Sequence, residues 1–309
     1  MPELFLTIFF ISILLLFLGS GVWVAISMIG VSSIGMLIFT TRPVGDAMAT
    51  TIWGTSSSWT LTALPLFVWM GEILFRTKLS ENLFKGLAPW MSRLPGGLIH
   101  VNIVGCALFA AISGSSAATV ATVGKMSIPE LRKRNYPEKL LLGSLAGSGT
   151  LGLLIPPSII LIIYGVTVQE SIAKLFIAGI IPGIMIAIIF MLYVIIWSII
   201  NKKAMPTSNE SFSFIEKIKG SKQLLSVILL ITAVIGSIYA GIATATEAAS
   251  LGVVGALILS FFQKSLNKET FKLSLLGATK TSCMITFILA GSSFLSLAMG
   301  FTGLPRNLA

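Results

Sequence analysis

A short polar segment inside an apolar stretch carries the residues best suited to bind a small cation. Ser113, Ser115 and Ser116 surround Gly114, and Thr119 follows about one helical turn later. A break in the helix at this glycine would free backbone carbonyls beside the hydroxyls, and neutral oxygens suit a hard cation such as sodium. The segment is therefore a candidate cation site, with close helix packing through small residues as the alternative.

A second interruption lies further along the chain, where Pro156 and Pro157 follow a glycine-rich run inside an apolar stretch. Proline has no N–H group, so these residues remove the helical hydrogen-bond donors for the carbonyls of Gly152 and Leu153. The candidate cation ligands of this element are the carbonyls of Gly152, Ile155 and Pro156. The alternative is a simple packing kink. Amides exposed at a half-helix N-terminus would attract an anionic substrate group.

The composition places both interruptions in a membrane protein. Of the 309 residues, 55% are hydrophobic and 10% are charged, and the mean hydropathy is +0.97. A soluble domain has about 25% charged residues. The apolar runs lack the two-residue alternation of a membrane barrel, so they predict helices. Lysines and arginines lie between the runs, so the net charge of +10 indicates membrane topology, with no nucleic-acid partner.

Long apolar stretches predict the membrane-spanning helices. They cover residues 3–19, 21–40, 60–75, 143–165, 176–200, 225–241, 246–262 and 283–300. The positive-inside rule places the basic segments between them on the cytoplasmic side. These segments are residues 76–93, 125–139, 202–222 and 264–280. Residues 42–58 and 167–174 carry little positive charge and are predicted on the outer side.

Residues 96–124 form an apolar segment whose two flanks are both predicted to be cytoplasmic. Ser113–Ser116 divides the segment into two arms, each too short to cross a hydrocarbon layer of roughly 30 Å. The segment must therefore enter and leave on one side. This predicts a re-entrant helical hairpin with the polar residues at its tip, where protein or water must cover the irregular backbone.

Few ionisable side chains fall near the apolar stretches. Glu72 is predicted to pair with Arg76 one helical turn away. Glu247 is either a functional acid at membrane depth or a helix N-terminal acid favoured by the dipole. His100 is the single histidine and is predicted to lie at the membrane interface.

The chain also shows signs of an inverted repeat. Residues 77–84 share four identities with residues 302–309, and the predicted topology sends segment 21–40 outward and its counterpart 246–262 inward. The predicted organisation has a first repeat, a cytoplasmic linker and the start of a second inverted repeat. These cover residues 1–200, 201–222 and 223–309, and the first contains scaffold helices, the 96–124 hairpin and the broken helix 143–165.

Three runs together resemble the large membrane (M) subunit of tripartite ATP-independent periplasmic (TRAP) transporters. They are Phe109–Thr119, Ser127–Leu131 and Gly152–Ser158. Shorter supporting matches are Pro65–Phe67, Gly71–Glu72, Leu175–Gly179 and Ala245–Ala249. Asn135 departs from the pattern, because the family commonly has glycine there. Asparagine also tolerates a left-handed backbone, so this departure places little in doubt.

The resemblance implies a sodium-driven elevator transporter of the bacterial inner membrane that imports an organic acid anion of the C4-dicarboxylate or sialic acid class. It implies two partners, a small membrane (Q) subunit and a periplasmic substrate-binding (P) protein. It also implies a first sodium site, with substrate near the Ser113–Ser116 tip. The residues of this implied sodium site are Ser113, Ser116, Gly152, Ile155 and Pro156, with Ser115 and Thr119 as further candidates.

Two other classes compete with transport. An intramembrane serine hydrolase would pair Ser115 or Ser116 with His100, but a helical arm would hold these groups roughly 20 Å apart. A non-transporting scaffold subunit would need none of the tip hydroxyls. The second repeat stops before the counterparts of the hairpin and the broken helix. The sequence therefore predicts a native subunit that continues beyond Ala309 by roughly 80 residues or more.

Overall fold

The computed structural model describes residues 3–77, 86–206 and 214–303. These residues form α-helices joined by short connections, with no strand among them, which confirms the all-α class for this part of the chain. The first six helices are α1 Glu3–Gly19, α2 Val24–Phe39, α3 Val44–Ser56, α4 Ala63–Phe75, α5 Ile99–Ser113 and α6 Ser116–Lys133. The next six are α7 Glu138–Gly149, α8 Ile159–Val168, α9 Ile172–Ile200, α10 Phe214–Tyr239, α11 Ala245–Phe262 and α12 Lys268–Phe301. Residues 86–91 are also helical.

The chain divides into two compact units. One unit comprises Met1–Leu61 and Lys280–Ala309, and the other comprises Thr62–Thr279. In the first unit, α1 packs on α2 through Leu6, Phe10 and Val31, which form a buried cluster. A second cluster in that unit joins α2 to the last turns of α12.

The second unit is built around α5, the first arm of the predicted hairpin. Nearly every residue of α5 is buried, and the helix contacts α4, α6, α7 and α9. A helix that is apolar on all sides suits such a central position or a membrane span. Only Gly114 and Ser115 separate α5 from α6, and the two helices pack together, so the helical hairpin is present. Its re-entrance into a membrane stays a prediction.

Several helices of the described residues have the length and apolarity to cross a membrane. Three helices meet both conditions by themselves, namely Ile172–Ile200, Ala245–Phe262 and Lys268–Phe301. Most of the apolar stretch of each helix is exposed at the protein surface. Exposed apolar faces of this kind suit contact with lipid. Further apolar helices of 10–17 residues are Leu4–Gly19, Val24–Phe39, Ile99–Ser113, Ile159–Val168 and Leu224–Tyr239. The chain is a multi-pass membrane protein.

Helix ends differ from the predicted boundaries where polar residues continue a helix. α6 extends to Lys133, beyond the predicted end of the hairpin at residue 124, and α12 begins at Lys268, inside a predicted basic loop. α10 begins at Phe214, inside the predicted linker 201–222. Hydropathy marks membrane depth, whereas lysine, arginine and glutamate favour helix and extend it past that depth. The sequence analysis also missed α3, because Val44–Ser56 is rich in small and hydroxylated residues, which lower its hydropathy.

The predicted break within 143–165 is confirmed. α7 ends at Gly149, Thr150–Leu153 form a short 3₁₀ helix, and α8 begins only at Ile159, with a cis peptide bond between Pro156 and Pro157. Asn135 adopts a left-handed backbone with φ of 58°, as its place in the motif requires. Most of the aligned repeat segments, at 78–84 and 304–309, lies outside the described residues, and the inverted repeat stays a prediction.

Candidate cation site at the hairpin tip

The hairpin reverses direction over two residues with different backbone conformations. Gly114 ends α5 in the left-handed region, at φ of 59°, and its N–H donates to the Ala110 carbonyl over 3.0 Å. Ser115 is extended and caps α6, because its hydroxyl accepts a hydrogen bond from the Ala118 N–H over 3.4 Å. A glycine followed by an N-cap serine therefore forms the tight turn.

Gly114 also brings the tip against the second interruption. Its carbonyl accepts the N–H of Ile159, the first residue of α8, over 3.1 Å. A Cβ atom at position 114 would collide with the Pro157 carbonyl oxygen. Only glycine allows this approach, because it combines the left-handed backbone with the absence of a side chain.

Gly152 makes the matching approach from the other side. A Cβ atom at this position would lie 2.8 Å from the Ser116 nitrogen and 2.9 Å from the Ser115 carbonyl carbon. The backbone of the 3₁₀ segment therefore lies directly against the start of α6. The two interruptions that the sequence identified separately form one junction in the structure.

The hydroxyls of the tip form a buried cluster. The oxygens of Ser113 and Thr119 are 3.0 Å apart, and Thr119 donates to the Ser115 carbonyl over 2.7 Å. Ser113 is only 4% exposed and Thr119 is fully buried. Gly71 of α4 completes the enclosure, because a Cβ atom there would lie 2.8 Å from the Ser113 Cα. The cluster presents neutral oxygens in a site shielded by protein.

The carbonyls next to the prolines have different partners. Ser158 donates from its hydroxyl to the Leu153 carbonyl over 2.7 Å and also caps α8. No hydrogen bond to the Gly152 carbonyl occurs among the described residues, and the same holds for Ile155 and Pro156. A carbonyl that accepts no hydrogen bond from the protein can bind water or a cation. Sequence reasoning missed Ser158, although a serine directly before an apolar helical run is an N-cap signal.

Two acidic residues that the sequence singled out, Glu72 and Glu247, lie outside this cluster and have partners of their own. Glu72 pairs with Arg76, with Oε2 and Nε 3.0 Å apart, which confirms the predicted pair. Glu247 accepts from the Thr244 N–H over 2.8 Å in a capping box, so it is the helix N-terminal acid of α11. No cluster of three His, Cys, Asp or Glu side chains occurs in the described part of the chain. The junction thus offers oxygen ligands of the kind that sodium accepts, without a buried carboxylate.

His100 lies at the opposite end of α5 from the tip. The imidazole is fully buried and Nε2 lies 2.8 Å from the Pro95 carbonyl oxygen, so the side chain is packed inside the protein. Its position at the membrane interface stays a prediction. α5 separates it from Ser115 and Ser116, and Ser115 caps α6 instead of meeting a base. The structure forms no serine–histidine dyad from these residues.

Apolar helices with two breaks that meet at a polar junction are typical of secondary transporters. The sequence matches the family model described as "Tripartite ATP-independent periplasmic transporter, DctM component" over residues 10–309, and the chain belongs to this family. The motifs in the hairpin and at the prolines had indicated this family, and the match confirms it.

Curated relatives are transporter permeases with different named substrates. The chain is 32% identical over 264 residues to the C4-dicarboxylate TRAP transporter large permease protein DctM of Pseudomonas aeruginosa, covering 85% of this chain and 61% of that protein. It is 31% identical to the sialic acid permease SiaM of Vibrio cholerae, covering 94% and 68%. It is 32% identical to the ectoine permease TeaC of Halomonas elongata, covering 80% and 58%. The chain thus spans less than two thirds of the first of these relatives.

Proposed function

We propose that this chain is the permease of a sodium-coupled importer of an organic acid anion. The named relatives support transport, and the tip junction supports sodium as the coupling ion. The observation that carries the proposal is the meeting of Gly152 with the Ser115–Ser116 backbone, beside the buried hydroxyls of Ser113 and Thr119.

In this proposal, sodium binds between the two interruptions and holds them together. The ligands are the hydroxyls of Ser113 and Ser116 with the carbonyls of Gly152, Ile155 and Pro156, and Ser115 and Thr119 complete the surroundings. Each hydroxyl oxygen has two lone pairs, and the hydrogen bonds of Ser113 and Thr119 leave at least one lone pair on each oxygen for an ion. Bound sodium would neutralise the partial negative charge of the freed carbonyls and so stabilise the junction.

The substrate site lies next to the sodium site for an electrostatic reason. α6 begins at Ser116 and α8 begins at Ile159, and the hydrogen bond from Ile159 to Gly114 brings the two helix starts together. The N-termini of both helices carry partial positive charge, which attracts a carboxylate without a buried lysine or arginine. The C4-dicarboxylate and sialic acid classes of the named relatives guide the choice of substrates.

The remaining elements of the proposal follow from family membership. The chain works in the bacterial inner membrane with a small membrane (Q) subunit and a periplasmic substrate-binding (P) protein. An elevator movement carries the hairpin and the broken helix across the membrane against a scaffold, after sodium and substrate have ordered the junction.

Uptake in proteoliposomes tests the proposal. The full permease and its small subunit are reconstituted, the binding protein is supplied outside, and uptake of labelled succinate and N-acetylneuraminate is followed under an inward sodium or potassium gradient. We expect uptake of one of them with sodium alone, and strong loss in Ser113→Ala and Ser116→Ala. Equal uptake with both gradients would reject sodium coupling. Unchanged uptake in both variants would favour the scaffold role for this chain.

A further inference from the structure

A cavity of about 410 Å³ lies at the end of α5 opposite the tip. It opens between the loop that precedes α5 and the C-terminal end of α9. Its described lining residues include Ser92, Gly96, Tyr136, Ser198, Ile199 and Lys202. None of these residues belongs to the proposed sodium site, so the cavity needs an explanation of its own.

Ser198 gives the cavity an unused hydrogen-bonding group. The residue is only 5% exposed, and its hydroxyl has no hydrogen-bond partner among the described residues. A serine in a helix usually bonds to a carbonyl one turn earlier, and a buried polar atom without a partner requires an explanation. The hydroxyl oxygen lies 3.1 Å from the position that a Cβ atom of Gly96 would take. The same Cβ position would lie 2.6 Å from Val194 Cγ1 and 3.0 Å from His100 Nε2, so the hydroxyl lies where the loop before α5 packs against α9, beside the cavity.

The charge of the cavity favours an anion. Lys202 is one of the lining residues, and no aspartate or glutamate belongs to the described lining. Arg93 and Lys203 are exposed neighbours of lining residues in the sequence, but neither belongs to the described lining. The positive-inside rule places this end of α9 on the cytoplasmic side, where the leaflet carries anionic lipids.

An apolar face leads from the cavity along α9. Ile188, Leu192, Ile196 and Ile199 are spaced for one side of the helix, all are about half exposed, and Ile199 also lines the cavity. An acyl chain fits this face, while the hydroxyl of Ser198 and the ammonium group of Lys202 suit a phosphate oxygen. We infer that the cavity binds the phosphate headgroup of an anionic phospholipid of the cytoplasmic leaflet, with an acyl chain along α9.

Native mass spectrometry of the full, delipidated permease complex tests the inference. Phosphatidylglycerol is titrated against phosphatidylcholine, and each variant is first checked for its elution volume and melting temperature. We expect preferential retention of phosphatidylglycerol and a loss of occupancy of about fivefold in Lys202→Gln, the effect of one lysine near an anionic surface. Lys203→Gln is the matched control and should retain the lipid. Ser198→Ala should lose phosphatidylglycerol occupancy without any change in charge. Lys202→Arg should retain the occupancy that Lys202→Gln loses.

Two results would overturn the inference. Equal phosphatidylglycerol occupancy in Lys202→Gln, Ser198→Ala and wild type would show that the cavity does not hold the lipid. Displacement of the lipid by inorganic phosphate, in a manner dependent on Lys202, would assign the site to free phosphate. The assay requires no sodium and no transport, so its outcome is independent of the proposed import function.

Discussion

Glycines and serines lie at both ends of α5, but the tip carries no formal charge whereas a lysine lies near the base. At the tip, glycines bring backbone against backbone, and the hydroxyls of Ser113 and Thr119 pair with each other without any formal charge. At the base, Gly96 and Gly97 also allow close contacts, and the hydroxyl of Ser198 has no partner among the described residues beside a cavity that Lys202 also lines. Neutral oxygens suit a cation that must be released again, whereas a fixed cation suits an anion from the lipid surface. In the two proposals, the tip therefore serves transport and the base serves lipid binding.

The largest expected effect comes from filling the junction at the tip. In Gly152→Ala the new Cβ would lie 2.8 Å from the Ser116 nitrogen, so the backbone of the tip must move. We expect uptake to fall to background, with a loss of stability of about 1–3 kcal/mol. Gly143→Ala is the control, because no atom outside its own helix backbone lies within 4 Å of a Cβ there. Uptake at the wild-type rate in Gly152→Ala would remove the distinction between the two ends.

Removal of one hydroxyl at the tip should weaken sodium without unfolding the protein. Thr119→Ala deletes the oxygen that contacts Ser113 over 3.0 Å. We expect the half-saturating sodium concentration for uptake to rise by about tenfold, the equivalent of one lost hydrogen bond of roughly 1.4 kcal/mol. Thr122→Ala is closely matched, because Thr122 is also buried on α6 and bonds to the backbone one turn earlier. An equal rise in both variants would contradict a specific role for Thr119.

A glycine at the base should affect stability more than transport. Gly97 has φ of +50°, and a Cβ atom there would lie 2.5 Å from the Tyr136 hydroxyl oxygen. We expect Gly97→Ala to lose about 1–2 kcal/mol from the left-handed backbone alone, measured as a lower melting temperature in detergent. Gly105→Ala on the same hairpin meets only ordinary contacts at 3.6 Å or more and should melt near wild type. A Gly97→Ala variant with normal stability but altered sodium dependence would reverse the assignment of the two ends.

The sequence predicted the tip junction only in parts. The serines, the glycine and the paired prolines are local signals, so both interruptions and the loss of donors at Gly152 could be predicted from chain order. The contact of Gly152 with Ser115 and Ser116 depends on how α7 packs against α6, which no local pattern contains. The Ser158 hydroxyl donates the hydrogen bond that the Leu153 carbonyl loses because of the prolines. This contact depends on the path of the broken backbone, which no local pattern contains.

The base of the hairpin was predicted less well. His100 was predicted at the membrane interface from its place next to a proline and two glycines, but its burial against α9 and its contact with Pro95 gave no signal in the sequence. Ser198 lies in an apolar helix and gave no signal, because its significance comes from Gly96, a residue distant in sequence. The structure of the base therefore depends on tertiary packing, whereas the structure of the tip depends largely on local backbone chemistry.

The smallest expected effect concerns the acid at the start of α11. Glu247 caps the helix through Thr244 and takes no part in the tip cluster. We expect Glu247→Gln to lower the melting temperature only slightly, through weaker capping of α11, and to leave the sodium dependence of uptake unchanged. Glu170→Gln, at an exposed position, serves as the charge-matched control. Loss of sodium dependence in Glu247→Gln alone would show that a carboxylate, and not the neutral tip, binds the ion.

Calorimetric titration of sodium into the purified permease complex measures ion binding at the tip without the need for transport. Wild type and Ser250→Ala, which changes an exposed serine of α11, should bind sodium with the same affinity. Ser113→Ala should bind it about tenfold more weakly, as expected for the loss of a ligand worth roughly 1.4 kcal/mol. Identical sodium binding in Ser113→Ala and wild type would contradict the account.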